Sequence, residues 1–274
     1  MAVDMLVRSA KGYYGDGRVR LFFMEGDGPK DAPLVVLLHG VHASASPDRE
    51  NKYGYLGRML ARQGFAACVT ESSRRLRGRT ALKDEYGAWA HSSFSGKTFA
   101  MEVLDACSAV AAAHRAYPSR PVVLWGFSLG GLLSVFLAGR GAGLALPEGE
   151  DRAPVSVPIA GLVLSGCGDA LRPEQEGSLA LPILDTLWAT EALYEAAGRA
   201  APEFVLVFHG TLDETFSEES SRRLLNGVGI EAERKTFYRI PGASHRFREL
   251  NGRPSKGALR EMIAVTTATL RKFL

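Results

Sequence analysis

The chain has 274 residues, 46% of them hydrophobic and 23% charged, a balance that excludes a disordered protein and leaves ample apolar material for a core. Thirty-three basic residues stand against 30 acidic ones, and a net charge of +3 argues against a dedicated nucleic-acid binder. Glycine is enriched: 30 of 274 residues is about 11%, against a usual ~7%, which points to tight turns and close backbone approaches.

The N-terminal stretch has no basic start followed by an apolar run, so no secretory signal is expected. No run approaches the ~18 apolar residues of a membrane-spanning helix. Three scattered cysteines, Cys68, Cys107 and Cys167, are too few for a disulfide framework and lack metal-ligand spacing. Reduced thiols in a cytoplasmic protein are the expectation.

In chain order, residues 5–9 and 18–24 read as an antiparallel hairpin joined through Tyr13-Tyr14-Gly15-Asp16-Gly17. Short apolar runs then recur at 33–39, 65–70, 121–125, 159–164 and 204–208, with a weaker alternating run at 235–240. Runs apolar on both faces suit the strands of a buried parallel sheet. Between them the apolar spacing predicts helices over 50–63, 97–116, 129–138, 218–228 and 255–274. The alternation predicts a parallel sheet with helices on both faces. Two segments break the rhythm, 71–96 and 169–202, and both follow the carboxyl ends of strands, where open sheets of this kind bind ligands.

Gly126-Phe127-Ser128-Leu129-Gly130 follows one apolar run directly and opens an apolar helix. Strand, sharp turn and helix form the setting in which G-x-S-x-G presents a nucleophilic serine. A serine hydroxyl needs a base, and His245, in Pro241-Gly-Ala-Ser-His245 after the last run, fits best. The orienting carboxylate is expected at Asp213, after the 204–208 run, with Asp169 as its rival. The backbone N–H groups of Val41, after Leu38-His39-Gly40, and of Leu129 are the expected oxyanion donors. His39 and His209, at strand ends, read as structural partners.

These four pieces in this order, LLHG at 37–40, GFSLG at 126–130, HGTLDE at 209–214 and GASH at 242–245, resemble the α/β-hydrolase superfamily over nearly all of the chain from Arg18 onward. The resemblance implies a mostly parallel eight-stranded sheet in one domain, 1–274, with a small helical cap at about 169–202. It implies a serine hydrolase of the carboxylesterase kind, acting on small-molecule esters with no metal or organic cofactor. The turn after the second long run departs from the superfamily's common pattern, reading Glu71-Ser-Ser-Arg-Arg-Leu-Arg-Gly78-Arg79.

Substrate-contacting candidates are His42, Phe127, Leu184 and Trp188; the last two also read as the packed face of a cap helix. Arg74, Arg75, Arg77 and Arg79 read chiefly as a solvated basic face, with recruitment of an anionic substrate as the alternative. The same triad serves amide and peptide cleavage, acyl transfer, lactone opening and carbon–carbon bond hydrolysis. The sequence leaves these open, together with a non-catalytic binding protein of the same fold.

Overall fold

The computed structural model describes residues 3–41, 44–77, 86–139, 157–175, 182–248 and 253–274. The hairpin forms as expected: β1 (Asp4–Lys11) pairs antiparallel with β2 (Arg18–Glu25) from Asp4↔Glu25 to Lys11↔Arg18. The central strands are β3 (Leu34–Leu38), β4 (Ala66–Glu71) and β5 (Val122–Phe127), and every residue in them is buried. β6 (Ile159–Ser165), β7 (Phe204–Leu212) and β8 (Lys235–Ser244) complete an eight-stranded sheet in the order β1-β2-β4-β3-β5-β6-β7-β8. From β4 to β8 each neighbouring pair is parallel.

Alternating side chains feed two cores. On β3, Leu34, Val36 and Leu38 face one and Val35 and Leu37 the other; on β5, Val122 and Leu124 oppose Val123, Trp125 and Phe127. The first core is roofed by α3 (Phe99–Ala116), α4 (Leu129–Ala138), α6 (Thr190–Arg199) and α7 (Glu218–Gly227). The second is roofed by α1 (Lys52–Arg62) and α8 (Lys256–Phe273). Burial on both faces is why these strands are apolar without a break.

The helices fall where the periodicity predicts them, and α2 (Tyr86–Phe94) adds one in the 71–96 segment. In the 169–202 segment the described residues hold the short α5 (Pro182–Asp185) and α6. Leu193, Ala196 and Ala197 of α6 join the first core. Two strands outrun their apolar runs. β7 continues to Leu212 and β8 to Ser244, with Leu212↔Ser244 paired beyond a register shift. β8 is the sheet's edge, so Pro241, which has no N–H, costs no ladder bond on the open side.

After β3 the chain steps to β4 on one side and returns to β5 on the other. That reversal leaves a crevice beyond the carboxyl ends of β3 and β5, the place where open α/β sheets hold their ligands.

Candidate active site

Ser128 sits at that crevice, between β5 and α4. Its backbone takes φ 52°, ψ −120°, a region that L-residues rarely occupy. The turn is held by the Ser128 N–H donating to Ser165 O at 2.9 Å and by Gly131 N–H donating to Ser128 O at 2.8 Å. The flanking glycines are sterically required. A Cβ on Gly126 would lie 2.1 Å from Gly130 O, and one on Gly130 would lie 2.4 Å from Leu38 O. Strand, turn and helix therefore pack backbone to backbone, which turns the serine outward.

His245 follows β8 immediately. Its Nε2 is 3.1 Å from Ser128 Oγ and its Nδ1 is 3.2 Å from Asp213 Oδ2. With a carboxylate facing Nδ1, that nitrogen carries the proton and Nε2 presents its lone pair to the serine hydroxyl. Asp213 follows β7 and is buried. Its Oδ1 accepts the N–H groups of Thr215 at 2.8 Å and Phe216 at 2.9 Å. Burial pushes this carboxyl upward, but the His245 hydrogen bond and charge, with the two N–H donors, outweigh it and hold the group below the usual carboxylate range.

The structure thus brings together Ser128, Asp213 and His245. It takes Asp169 elsewhere: that carboxylate accepts from Tyr194 Oη and Ser220 Oγ at 2.7 Å each and from Arg223 Nε and Nη2 at 2.9 Å, tying α6 to α7.

Gly40 and Val41 lie beside the elbow. His39 holds this turn, with Nδ1 at 2.8 Å from Gly40 O, while Ser72 N–H donates to its Nε2 at 3.0 Å. Because Nε2 accepts, the proton is on Nδ1 and donates to the Gly40 carbonyl. A trans peptide then aims the Val41 N–H the opposite way. Among the described residues, neither the Val41 nor the Leu129 N–H donates to another protein group. His209 is buried as well, stacked on Phe237 with Ser221 Oγ 3.3 Å from its Nδ1.

The substrate-contacting candidates are placed differently. His42 lies outside the described residues. Phe127 is buried in the second core, between Trp125 and Phe247. Trp188 packs edge-on against Phe99 and Phe136, with ring centroids 5.1 and 4.9 Å away, and Leu184 leans on the same core.

The arginine cluster is a correction, because Arg74 and Arg77 do not form a solvated face. The Arg74 side chain is wholly buried, 3.4 Å from Glu71 and 4.9 Å from the centre of the Phe94 ring. Arg77 bridges Asp16 and Glu71 at 2.5 and 2.6 Å. Arg75 lies over the Tyr14 ring, and Arg79 is outside the described residues. Acid partners on the β1–β2 turn and β4, with rings from that turn and α2, account for the placement.

Sequence reasoning missed Glu214, whose Oε2 accepts the His245 N–H at 3.1 Å, although it adjoins Asp213. It also missed Lys52, whose Nζ donates to Arg246 O at 3.0 Å. All three thiols are free; burial pushes Cys107 and Cys167 up to about 12 and raises Cys68 as well. Among the described residues no group of three or more His, Cys, Asp or Glu could hold a metal ion, and no helix is long and apolar enough to cross a membrane.

Sequence comparison brings out no match, either to a family model or to a curated protein. Structural comparison does. The chain is similar to a dienelactone hydrolase from Anabaena variabilis, with TM-score 0.62 and 15% identity over 99% of each chain. It is similar to Thermogutta terrifontis esterase 2 phosphoramylated by tabun, with TM-score 0.68 and 20% identity over 98% of this chain and 94% of that one. The esterase domain of a Rhodothermus marinus protein gives TM-score 0.60 and 16% identity over 98% and 99%. The chain has the α/β-hydrolase fold.

Proposed function

We propose that the protein is a serine hydrolase that cleaves carboxylic esters of small molecules. The observation that carries this reading is the continuous relay from Ser128 Oγ through His245 to Asp213, at 3.1 and 3.2 Å. Hydrolase and esterase neighbours of the same fold support it.

In this mechanism Ser128 Oγ attacks the ester carbonyl carbon while His245 Nε2 takes its proton. The N–H groups of Val41 and Leu129 hold the resulting oxyanion, donors of a kind typically worth about 3 kcal/mol each. Asp213 stabilises the imidazolium and keeps its orientation. The imidazolium proton passes to the departing alcohol, leaving an acyl group on Ser128. Water then gives a proton to His245 and attacks the acyl carbon; the proton returns to Ser128 as the acid leaves. The neutral imidazole, with Nε2 unprotonated, is the form that acts as base. Cys167 takes no part, because its thiol is buried and pushed up to about 12. The chain acts as one domain.

The test uses a fluorophosphonate probe and an aryl ester. Wild-type protein should be labelled at Ser128 and turn over the ester, and Ser128→Ala should do neither. Turnover retained by Ser128→Ala rejects the reading.

A further inference from the structure

Lys52, the first residue of α1, is 5% exposed. Among the described residues no carboxylate pairs with it. Its amine has one carbonyl acceptor, Arg246 O at 3.0 Å, and three aromatic rings around it: Phe127 at 4.1 Å, Tyr53 at 5.1 Å and Phe247 at 5.9 Å. Burial, with the charges of Arg248 and Arg246 nearby, holds the amine well below the ordinary lysine range. An amine in such a place is an expensive way to fill a core, where an apolar side chain of the same length would serve better.

Its contacts are specific to the crevice. Phe127 precedes Ser128 in the chain, and Arg246 follows His245. Phe247 adopts φ 48°, a left-handed conformation costly for a bulky residue, so the turn after His245 needs a restraint. The next residue of α1, Tyr53, accepts the Gly40 N–H on its hydroxyl at 3.2 Å. The first turn of α1 therefore grips the histidine loop with one residue and the Gly40–Val41 turn with the next.

We propose that Lys52 is a positioning residue: seated among Phe127, Tyr53 and Phe247, its amine holds the Arg246 carbonyl and so fixes the His245 imidazole within reach of Ser128. This rests on the reading of Ser128 and His245 as nucleophile and base. Lys52 acts through the loop and does not touch substrate.

The experiment compares Lys52→Met and Lys52→Gln with unlabelled wild type, by aryl-ester kinetics and thermal unfolding, while a separate sample of wild type is tested for fluorophosphonate labelling. In Lys52→Met, kcat should fall about tenfold, the scale of one lost hydrogen bond, with KM within twofold and Tm equal or higher. Lys52→Gln, which keeps an N–H donor on a shorter stem, should fall between the two. A Met variant with kcat within twofold of wild type overturns the proposal, as does a loss of kcat that merely tracks a lowered Tm. Should Lys52→Met not fold, Lys52→Gln decides: a fall beyond twofold at unchanged KM supports positioning, and a smaller one overturns it. Wild type that resists the probe defeats the hydrolase reading itself, whereas labelled wild type with indifferent Lys52 variants defeats the positioning role alone.

Discussion

Gly40 and Ser128 stand face to face: a Cβ on residue 40 would lie 3.1 Å from the Ser128 Cβ and 3.7 Å from its Oγ. The first distance is tighter than nearly all real Cβ contacts, so a side chain at 40 has to push the serine or the Gly40–Val41 turn aside. Gly40→Ala should lower kcat/KM for an aryl ester about tenfold through this shift of a few tenths of an ångström, with little change in Tm. Steady-state kinetics at unchanged activity would show that the turn does not face the reacting carbonyl.

The backbone of Ser128 predicts an opposition between activity and stability. At φ 52° a Cβ is strained, whether it belongs to serine or alanine, and glycine relieves the strain at a smaller entropic cost. Ser128→Gly should be inactive yet more stable than Ser128→Ala by about 1 kcal/mol in urea unfolding. Equal midpoints for the two variants would show that the elbow is unstrained.

The two carboxylates separate cleanly. Asp213→Asn should lose most of kcat, because the amide no longer holds the imidazole proton on Nδ1. Asp169→Asn should leave kcat unchanged and lower Tm, because it loosens Tyr194, Ser220 and Arg223 between α6 and α7. The reverse pattern in side-by-side kinetics and melts would exchange their roles.

His39 predicts a pH dependence of stability. Burial lowers its pKa, and the nearby Arg74 guanidinium adds to the effect against the opposing charge of Glu102. Below about pH 6.5 the unfolded chain takes up a proton that the folded one refuses. Stability should therefore fall as pH drops, by up to about 1.4 kcal/mol per pH unit for one such histidine. His209, also lowered by burial, adds to the slope. Urea unfolding from pH 7.5 to 5 should show this slope, and His39→Asn should flatten it; an unchanged slope assigns the proton elsewhere.

Ser128, Asp213 and His245 were legible because each follows an apolar run at a strand's carboxyl end, so a linear pattern already maps onto one edge of the sheet. The sheet and most helices were legible for the same reason, since strands buried on both faces stand out by composition. The arginines were not. Arg77 finds its partner in Asp16, on a turn far away in the chain, and no local pattern reports that pairing. Lys52 was hidden because a charged first residue on an amphipathic helix ordinarily points to water. The last residues of β7 and β8 were missed because Gly210, Pro241 and Gly242 read as turn formers, while their pairing is set by the neighbouring strand.

The three thiols, two of them buried and Cys107 partly so, have a practical consequence. With Cys107 and Cys167 pushed up to about 12 and Cys68 raised too, essentially no thiolate is present at neutral pH, and thiolate is the species that alkylating reagents and oxidants attack. The native protein should therefore react slowly with maleimides. One cysteine installed on an exposed site such as Arg222 would be the single handle for a dye, a spin label or a solid support, without removing any natural residue from the core.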